Sequence, residues 1–381
     1  MEFALNDEQR MVRDTVRKFA EERLAGSATE RDHEERPPLE ELKEFAGLGF
    51  LGMTIPEEYD GLPLDDVSEA IVIEELSRVD ASFGVIVSVH TSLTASVIVD
   101  HGTEEQKKKY LPNMATGEKI AAYSLSEAGA GSDPGAMTAV AEKKGDRWAL
   151  SGEKMWVTNG GIADYFIVFA RSDSKAKGAK GITAFMVEKG TPGFSVGKKE
   201  EKLGIRSSDT VSLVLENCEV PAENVLGGEG KGMRVAFQAL DKSRIGVAAQ
   251  AVGIAQGALD AAIKYAKERE TFGKPIIAHQ TIGNYLADMA TRTEAARLLT
   301  YKAAWMKERK VVHTKESAQA KLFAGDTAVW VADRAVQVLG GYGFTRDFPV
   351  ERAYRDAKIT QIYEGTNEIQ RLVIARALGT E

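Results

Sequence analysis

The sequence predicts a multidomain α+β chain: an N-terminal helical domain (1–118), a middle β-sandwich or barrel (119–231) and a C-terminal antiparallel four-helix bundle (232–381). Two changes of texture carry this reading. Up to about residue 118 apolar residues recur at helical spacing. From there to about 231 the chain breaks into short runs rich in β-branched and aromatic residues, punctuated by Gly, Asn, Asp and Pro. Beyond 232 it returns to long Ala- and Leu-rich segments of helical period.

Taken in order, Asn6 with Gln9 has the form of a capping box, and Val12, Val16, Phe19 and Ala20 make the apolar stripe that follows. Val67, Ala70, Ile71, Glu74 and Leu76 continue a second helix, whose acidic face is read as solvated. Thr103 with Gln106 starts another helix, and Pro112 stands near its end. The strand candidates are IAAYSLS, RWALSG, KMWVTN, YFIVFAR, ITAFMVE and VSLVLEN. DSKAKGAKG (173–181) reads as an exposed loop and GGEGKG (227–232) as a domain junction. Residues 232–267, 279–308 and 315–340 supply the bundle.

Composition narrows the function classes. Lys and Arg total 49 against 57 Asp and Glu, a net charge of −8, which argues against a nucleic-acid binder. The single cysteine, Cys218, allows no intrachain disulfide and fits a reducing compartment. The five histidines are scattered, with no HxxH or HExxH spacing, so no metal is expected. The opening MEFALNDEQR is amphipathic and acidic rather than a signal peptide, and no run of 18 apolar residues occurs. A cytoplasmic protein without membrane insertion is expected.

Six segments carry chemistry, each with a plain structural alternative. AYSLSEAGAGSD (122–133) is either a simple Gly-rich turn or a loop whose backbone N–H groups approach a ligand. Pro134 at the third glycine position rules out a dinucleotide fingerprint. KMWVTNGG (154–161) sets Trp156 and Thr158 before an Asn-Gly hairpin signal, either as ordinary core or as a cover for a flat ring. ALDKSRIG (239–246) reads as a charged cap at the head of a long helix, or as Arg244 projecting into a site. KERETFGKP (267–275) is a helix terminus, or a phosphate contact from Arg269 with Phe272 over a ring. QVLGGYGF (337–344) has more glycines than one helix cap needs. In QIYEGTNEIQR (361–371), Glu364 is either a helix-start decoration or a base held in a partly dry pocket.

Together with IPEEYDG (55–61) and LGIRSSDT (203–210), these segments closely resemble the acyl-CoA dehydrogenase family, in its order and approximate spacing over nearly the whole chain. The resemblance implies that family's three-domain fold and a homotetramer, a dimer of dimers. It also implies one FAD per subunit between the middle and C-terminal domains, and an electron-transfer flavoprotein as acceptor. It places Tyr123, Leu125, Ser126 and Ser132 in the flavin loop, with Ser132 also near the CoA portion. Trp156, Val157 and Thr158 then meet the flavin ring. Arg269, Phe272, Gln280, Gln337, Gly340 and Gly341 bind adenylate and pyrophosphate, partly across a subunit interface. Thr366 and the backbone near Glu368 complete the FAD site. Asp241, Ser243 and Arg244 resemble the segment contacting the adenine end of CoA, and Gly365 contacts substrate.

Glu364 matches the family's catalytic base. The implied reaction converts a saturated acyl-CoA to the trans-2-enoyl thioester. No side chain accepts a hydride, so a flavin must take it, while a carboxylate removes the α-proton. Some members carry the base at the position of Ser243; here that position is not a carboxylate. Gly84 stands where dicarboxylate-specific members have an Arg. GVIVSVHTSL (84–93) looks most like butyryl-type enzymes, which favours short- to medium-chain straight substrates. An acyl-CoA oxidase on the same scaffold and a non-catalytic acyl-CoA-binding protein remain as alternatives.

Overall fold

A computed structural model describes residues 4–379. The N-terminal part is helical: α1 (Asp7–Phe19), α2 (Ala28–Glu34), α3 (Leu39–Gly47), α4 (Asp66–Val79), α5 (Ala81–Ser88), α6 (Ser96–His101) and α7 (Glu104–Ala115). The Asn6–Gln9 and Thr103–Gln106 capping boxes both form, and Pro112 lies in the last turn of α7. The acidic face of α4 is not solvated. Glu74 and Glu75 are buried. Arg297 pairs with Glu74 at 2.9 Å, and Arg17 pairs with Glu75 at 2.6 Å. Helical period cannot show that other helices will cover a charged face. Here α1 and two helices of the bundle do so. Gly84 is explained inside the helical layer: a Cβ there would sit 2.0 Å from Ser77 Oγ of the neighbouring helix.

The middle part holds β1 (Ala121–Ser124), β2 (Val140–Lys144), β3 (Arg147–Thr158), β4 (Tyr165–Arg171), β5 (Ile182–Glu188), β6 (Phe194–Lys199), β7 (Thr210–Pro221) and β8 (Val225–Leu226). They form one sheet in the order β6-β7-β3-β2-β4-β5-β8, with β1 beside β4. RWALSG and KMWVTN are one strand, kinked by two register shifts against β7. The sheet closes over its own core, where Trp148 meets Phe185 edge-on at 5.5 Å. Alternation divides β4 between two cores. Phe166, Val168 and Ala170 enter the β core, while Tyr165, Ile167 and Phe169 enter the helical one. The Asn159-Gly160 turn closes no hairpin, because β3 pairs with β2 and β7 whereas β4 pairs with β5 and β1. Asn159, at φ 66°, instead donates from Nδ2 to the carbonyls of Ile86 (3.0 Å) and Ala121 (3.3 Å), tying the sheet to the helices.

The C-terminal part contains α8 (Gly232–Glu268), a short β9–β10 ribbon (Glu270–Thr271, Lys274–Pro275), α9 (Gln280–Glu308), α10 (Thr314–Leu339), α11 (Val350–Ala357) and α12 (Asn367–Gly379). Helices α8, α9 and α10 pack on one another, α12 packs on α10, and α4 lies along α8. Two helical stretches, Ala81–His101 and Gly232–Glu268, are long and apolar enough to cross a membrane by length and composition alone. Within them, 94% and 78% of the most apolar windows are buried in the protein, so their apolar surface is already covered.

Candidate active site

The turn that carries Glu364 runs into α12, whose first N–H groups are capped by Thr366. Its Oγ1 accepts from Ile369 N at 3.3 Å. Glu364 and Gly365 are consecutive left-handed residues, φ 54° and 94°. A side-chain-bearing residue in that region is strained by about 1–2 kcal/mol, so its surroundings must hold it. They do. Gln370 Nε2 donates to Gly365 O at 2.9 Å, Lys321 Nζ donates to the same carbonyl at 2.8 Å, and Arg244 Nε reaches Glu364 O at 3.5 Å.

The turn aims the carboxylate at α8, where it accepts from the Ser243 hydroxyl. Burial raises the Glu364 pKa above the usual carboxylate range, and the Ser243 hydrogen bond, Lys321 and Arg244 only partly oppose it. Two phenols flank this corner, Tyr123 buried and Tyr363 half-buried. Tyr363 donates to Gln250 Oε1, and Tyr123 packs on Phe169 at 5.0 Å. Burial first and the Glu364 charge second push both phenols well above their ordinary pKa.

Residues 241–244 lie well inside α8, not at its head, so the helix-cap reading fails. Arg244 is 6% exposed, pairs with Asp241 at 2.7 Å and backs the Glu364 carbonyl. Asp241 also accepts from the Thr314 hydroxyl at 2.8 Å.

The proposed flavin wall is close-knit. Leu125 and Val157 are buried, Ser126 and Thr158 half-buried, and Ser132 exposed. Trp156 is 58% exposed, so it is not core. Behind the loop, buried Lys154 pairs with Glu127 at 2.8 Å, and Glu127 accepts from the backbone N–H of Thr138 and Ala139. Among the described residues, four buried hydroxyls of these segments have no partner: Tyr123 Oη and Ser124 Oγ on β1, Ser208 Oγ, and Thr210 Oγ1 on the strand register opposite Thr158. Orphaned buried hydroxyls beside an exposed tryptophan fit a flat, polar-edged ring such as a flavin.

The remaining predicted residues lie elsewhere. Arg269, Phe272, Gln280, Gln337, Gly340 and Gly341 are all exposed, at the far end of α8. Arg269, Gly340 and Gly341 line a cavity of about 600 Å³ with Tyr265, His279 and Tyr342. At 1.5 Å per helical residue, Arg269 lies about 39 Å along α8 from Ser243. Exposed Glu368 is held below the usual carboxylate range by its own backbone N–H and the Thr366 hydroxyl. Sequence reasoning missed Lys321, Gln250, Asn367 and Gln370. The one available signal was a single Lys inside the Ala-rich run SAQAKLFAGD.

Residues 6–118, 122–218 and 230–379 match the N-terminal, middle and C-terminal domains of acyl-CoA dehydrogenase. The chain is 51% identical to a short-chain-specific acyl-CoA dehydrogenase of Clostridium acetobutylicum, over 98% of this chain and 99% of that one. It superposes on butyryl-CoA dehydrogenase from Megasphaera elsdenii with a TM-score of 0.97 and 46% identity, covering 99% and 100% of the two chains. A chain from a structure described as electron transferring flavoprotein of Acidaminococcus fermentans, towards a mechanism of flavin-based electron bifurcation, gives a TM-score of 0.98 and 48% identity over 100% of both.

Proposed function

Because this chain belongs to the acyl-CoA dehydrogenase family, we propose that it converts short-chain saturated acyl-CoA thioesters to their trans-2-enoyl products, with Glu364 as the α-proton acceptor. One observation carries the assignment. Glu364 is a desolvated carboxylate in a cross-braced left-handed turn, facing Ser243, a side chain that cannot itself act as a base near neutral pH.

FAD is the cofactor; when bound it supplies the hydride acceptor for the β-carbon. Tyr123, Leu125, Ser126, Ser132, Trp156, Val157, Thr158 and Thr366 would hold it, with Ser132 also near the CoA portion of the substrate and Gly365 in contact with substrate. The role of this chain at the reacting atoms is then acid–base and electrostatic. Burial makes Glu364 a stronger base, and a bound acyl chain displaces further water and strengthens it again. The Glu364 backbone N–H donates to the thioester oxygen, where negative charge gathers as the α-proton leaves. The distal residues Arg269, Phe272, Gln280, Gln337, Gly340 and Gly341 serve the adenylate of a FAD held by a second copy, within a homotetramer. Electron-transfer flavoprotein receives the electrons.

Support for the short-chain preference comes from the Clostridium and Megasphaera relatives. The direct test is anaerobic mixing of the yellow holoenzyme with straight-chain acyl-CoAs of graded length. Bleaching fastest at butyryl-CoA is expected. Absence of bleaching with every straight-chain acyl-CoA rejects the reaction; fastest bleaching with a long chain rejects the preference.

A further inference from the structure

Lys321 has no part in the scheme above, yet its placement is unusual. It projects from α10 with its residue 0% exposed. An ammonium taken out of water normally finds a carboxylate. Among the described residues Lys321 forms no ion pair within 4 Å. It donates instead to two neutral oxygens, Gly365 O at 2.8 Å and Asn367 Oδ1 at 3.0 Å. Both acceptors belong to the turn behind Glu364. Asn367 is itself fixed, donating from Nδ2 to Asp326 Oδ1 at 2.9 Å. Lys321 therefore clamps the residue after the base and the first residue of α12 to α10.

We propose that Lys321 is a positioning residue for the reaction: its ammonium locks the left-handed Glu364–Gly365 turn in the orientation that presents the carboxylate, and its charge favours the ionised carboxylate. This rests on Glu364 being the base. The charged groups that face Lys321 are Glu364 from the turn, Arg244 from α8, Asp326 from α10 itself and Glu368 from α12. Burial brings the Lys321 pKa down to about 7, with Glu364 opposing the fall and Arg244 adding to it. The clamp is thus charged below neutrality and loses its charge as pH rises through it. In the other direction, the Lys321 charge lowers the Glu364 pKa, so its removal leaves the base protonated up to a higher pH.

The experiment compares K321M, K321R and E364Q as FAD-loaded enzymes, reading kcat, KM, the acid limb of the kcat/KM pH profile, flavin absorbance and melting temperature. K321M is expected to lose roughly tenfold or more in kcat, the scale of one hydrogen bond to a charged group, with KM within about threefold. Its acid limb moves up by about one pH unit, the effect of losing an opposite charge. K321R, which keeps the charge but not the geometry, retains the wild-type limb with a reduced kcat, and it tests the idea on its own should K321M not fold. Wild-type kcat and limb in K321M, beside an inactive E364Q, overturn the role of Lys321 and leave the base standing. Full turnover by E364Q overturns both. Losses of kcat, flavin and melting temperature together, with the limb unmoved, show a structural lysine only and overturn the proposal.

Discussion

The two ends of α8 follow opposite rules. At the Ser243 end Glu364 and its turn are braced from within the chain. Ser243 donates to the carboxylate, Arg244 and Gln370 back its carbonyl, and Lys321 holds the next residue. At the Arg269 end the residues are exposed, the cavity is open, and Phe272 stands 95% exposed. A large aromatic side chain left almost wholly in water costs hydrophobic stabilisation unless something covers it. The proposed acid–base corner is therefore braced within a single chain, whereas the distal end is left exposed, as the proposed cofactor contacts from a second copy require.

The largest effect tests the self-contained end. E364Q keeps the shape and most of the hydrogen bonds of the turn but removes the base. A fall in turnover of roughly 10²–10⁴-fold is expected, the usual scale of general-base catalysis, with FAD retained. Steady-state rates and the flavin spectrum decide it. A modest loss in rate would move the base away from this corner.

At the other end, R269A should leave proton abstraction intact and loosen the cofactor. Losing one charge-assisted contact costs about 1.5–3 kcal/mol, or roughly 10–100-fold in FAD affinity. The FAD dissociation constant and kcat at saturating FAD separate the two effects. If R269A holds FAD as tightly as the parent, the distal cavity is not a cofactor site and the comparison between the two ends fails.

A subtler test uses pH. The Glu364 pKa is raised, and only the ionised form accepts a proton, so activity is full above that pKa and lost as pH falls through it. Ser243 donates to the ionised form and pulls the pKa down. S243A therefore moves the acid limb to higher pH, by about 1–2 units if the bond is of charge-assisted strength. An unmoved limb in the kcat/KM profile would mean that the hydroxyl does not touch the ionised carboxylate during turnover.

How much of this was legible in the sequence depends on whether the cause is local. YFIVFAR and ITAFMVE show as strands with their observed bounds, because both faces are buried and the residues are strongly strand-forming. VAEKK and FSVGKK give no clear strand signal, because β2 and β6 are largely exposed and carry charge. The Asn159-Gly160 turn was legible as backbone chemistry, and the left-handed φ is there, but which strands it separates is a long-range matter. The same holds for the site. Glu364 stands out through its local motif, while Lys321 lies 44 residues from the Gly365 that it holds, and Gln250 lies 113 residues from Tyr363. A single sequence does not say which distant helix faces which turn. The burial of the acidic face of α4 is long-range in the same way, since Arg297 reaches Glu74 from a distant helix.

The smallest effect separates two glycines of one motif, and with them the two kinds of constraint. A Cβ at Gly343 would lie 2.5 Å from Val336 O and 2.9 Å from Leu339 Cβ, so the chain itself demands glycine there. At Gly341, which lines the distal cavity, a Cβ would meet nothing within 4 Å. Gly343→Ala should therefore destabilise the fold by about 1–3 kcal/mol, as overpacking does, and lower the melting temperature with or without FAD. Gly341→Ala should leave the FAD-free protein as stable as the parent and reduce only the stabilisation that added FAD brings. The measurement is thermal melting of both variants, with and without FAD. Equal melting shifts for the two variants in the absence of FAD would show that the motif is fixed by internal packing alone. The openness of the distal end would then not be reserved for a ligand.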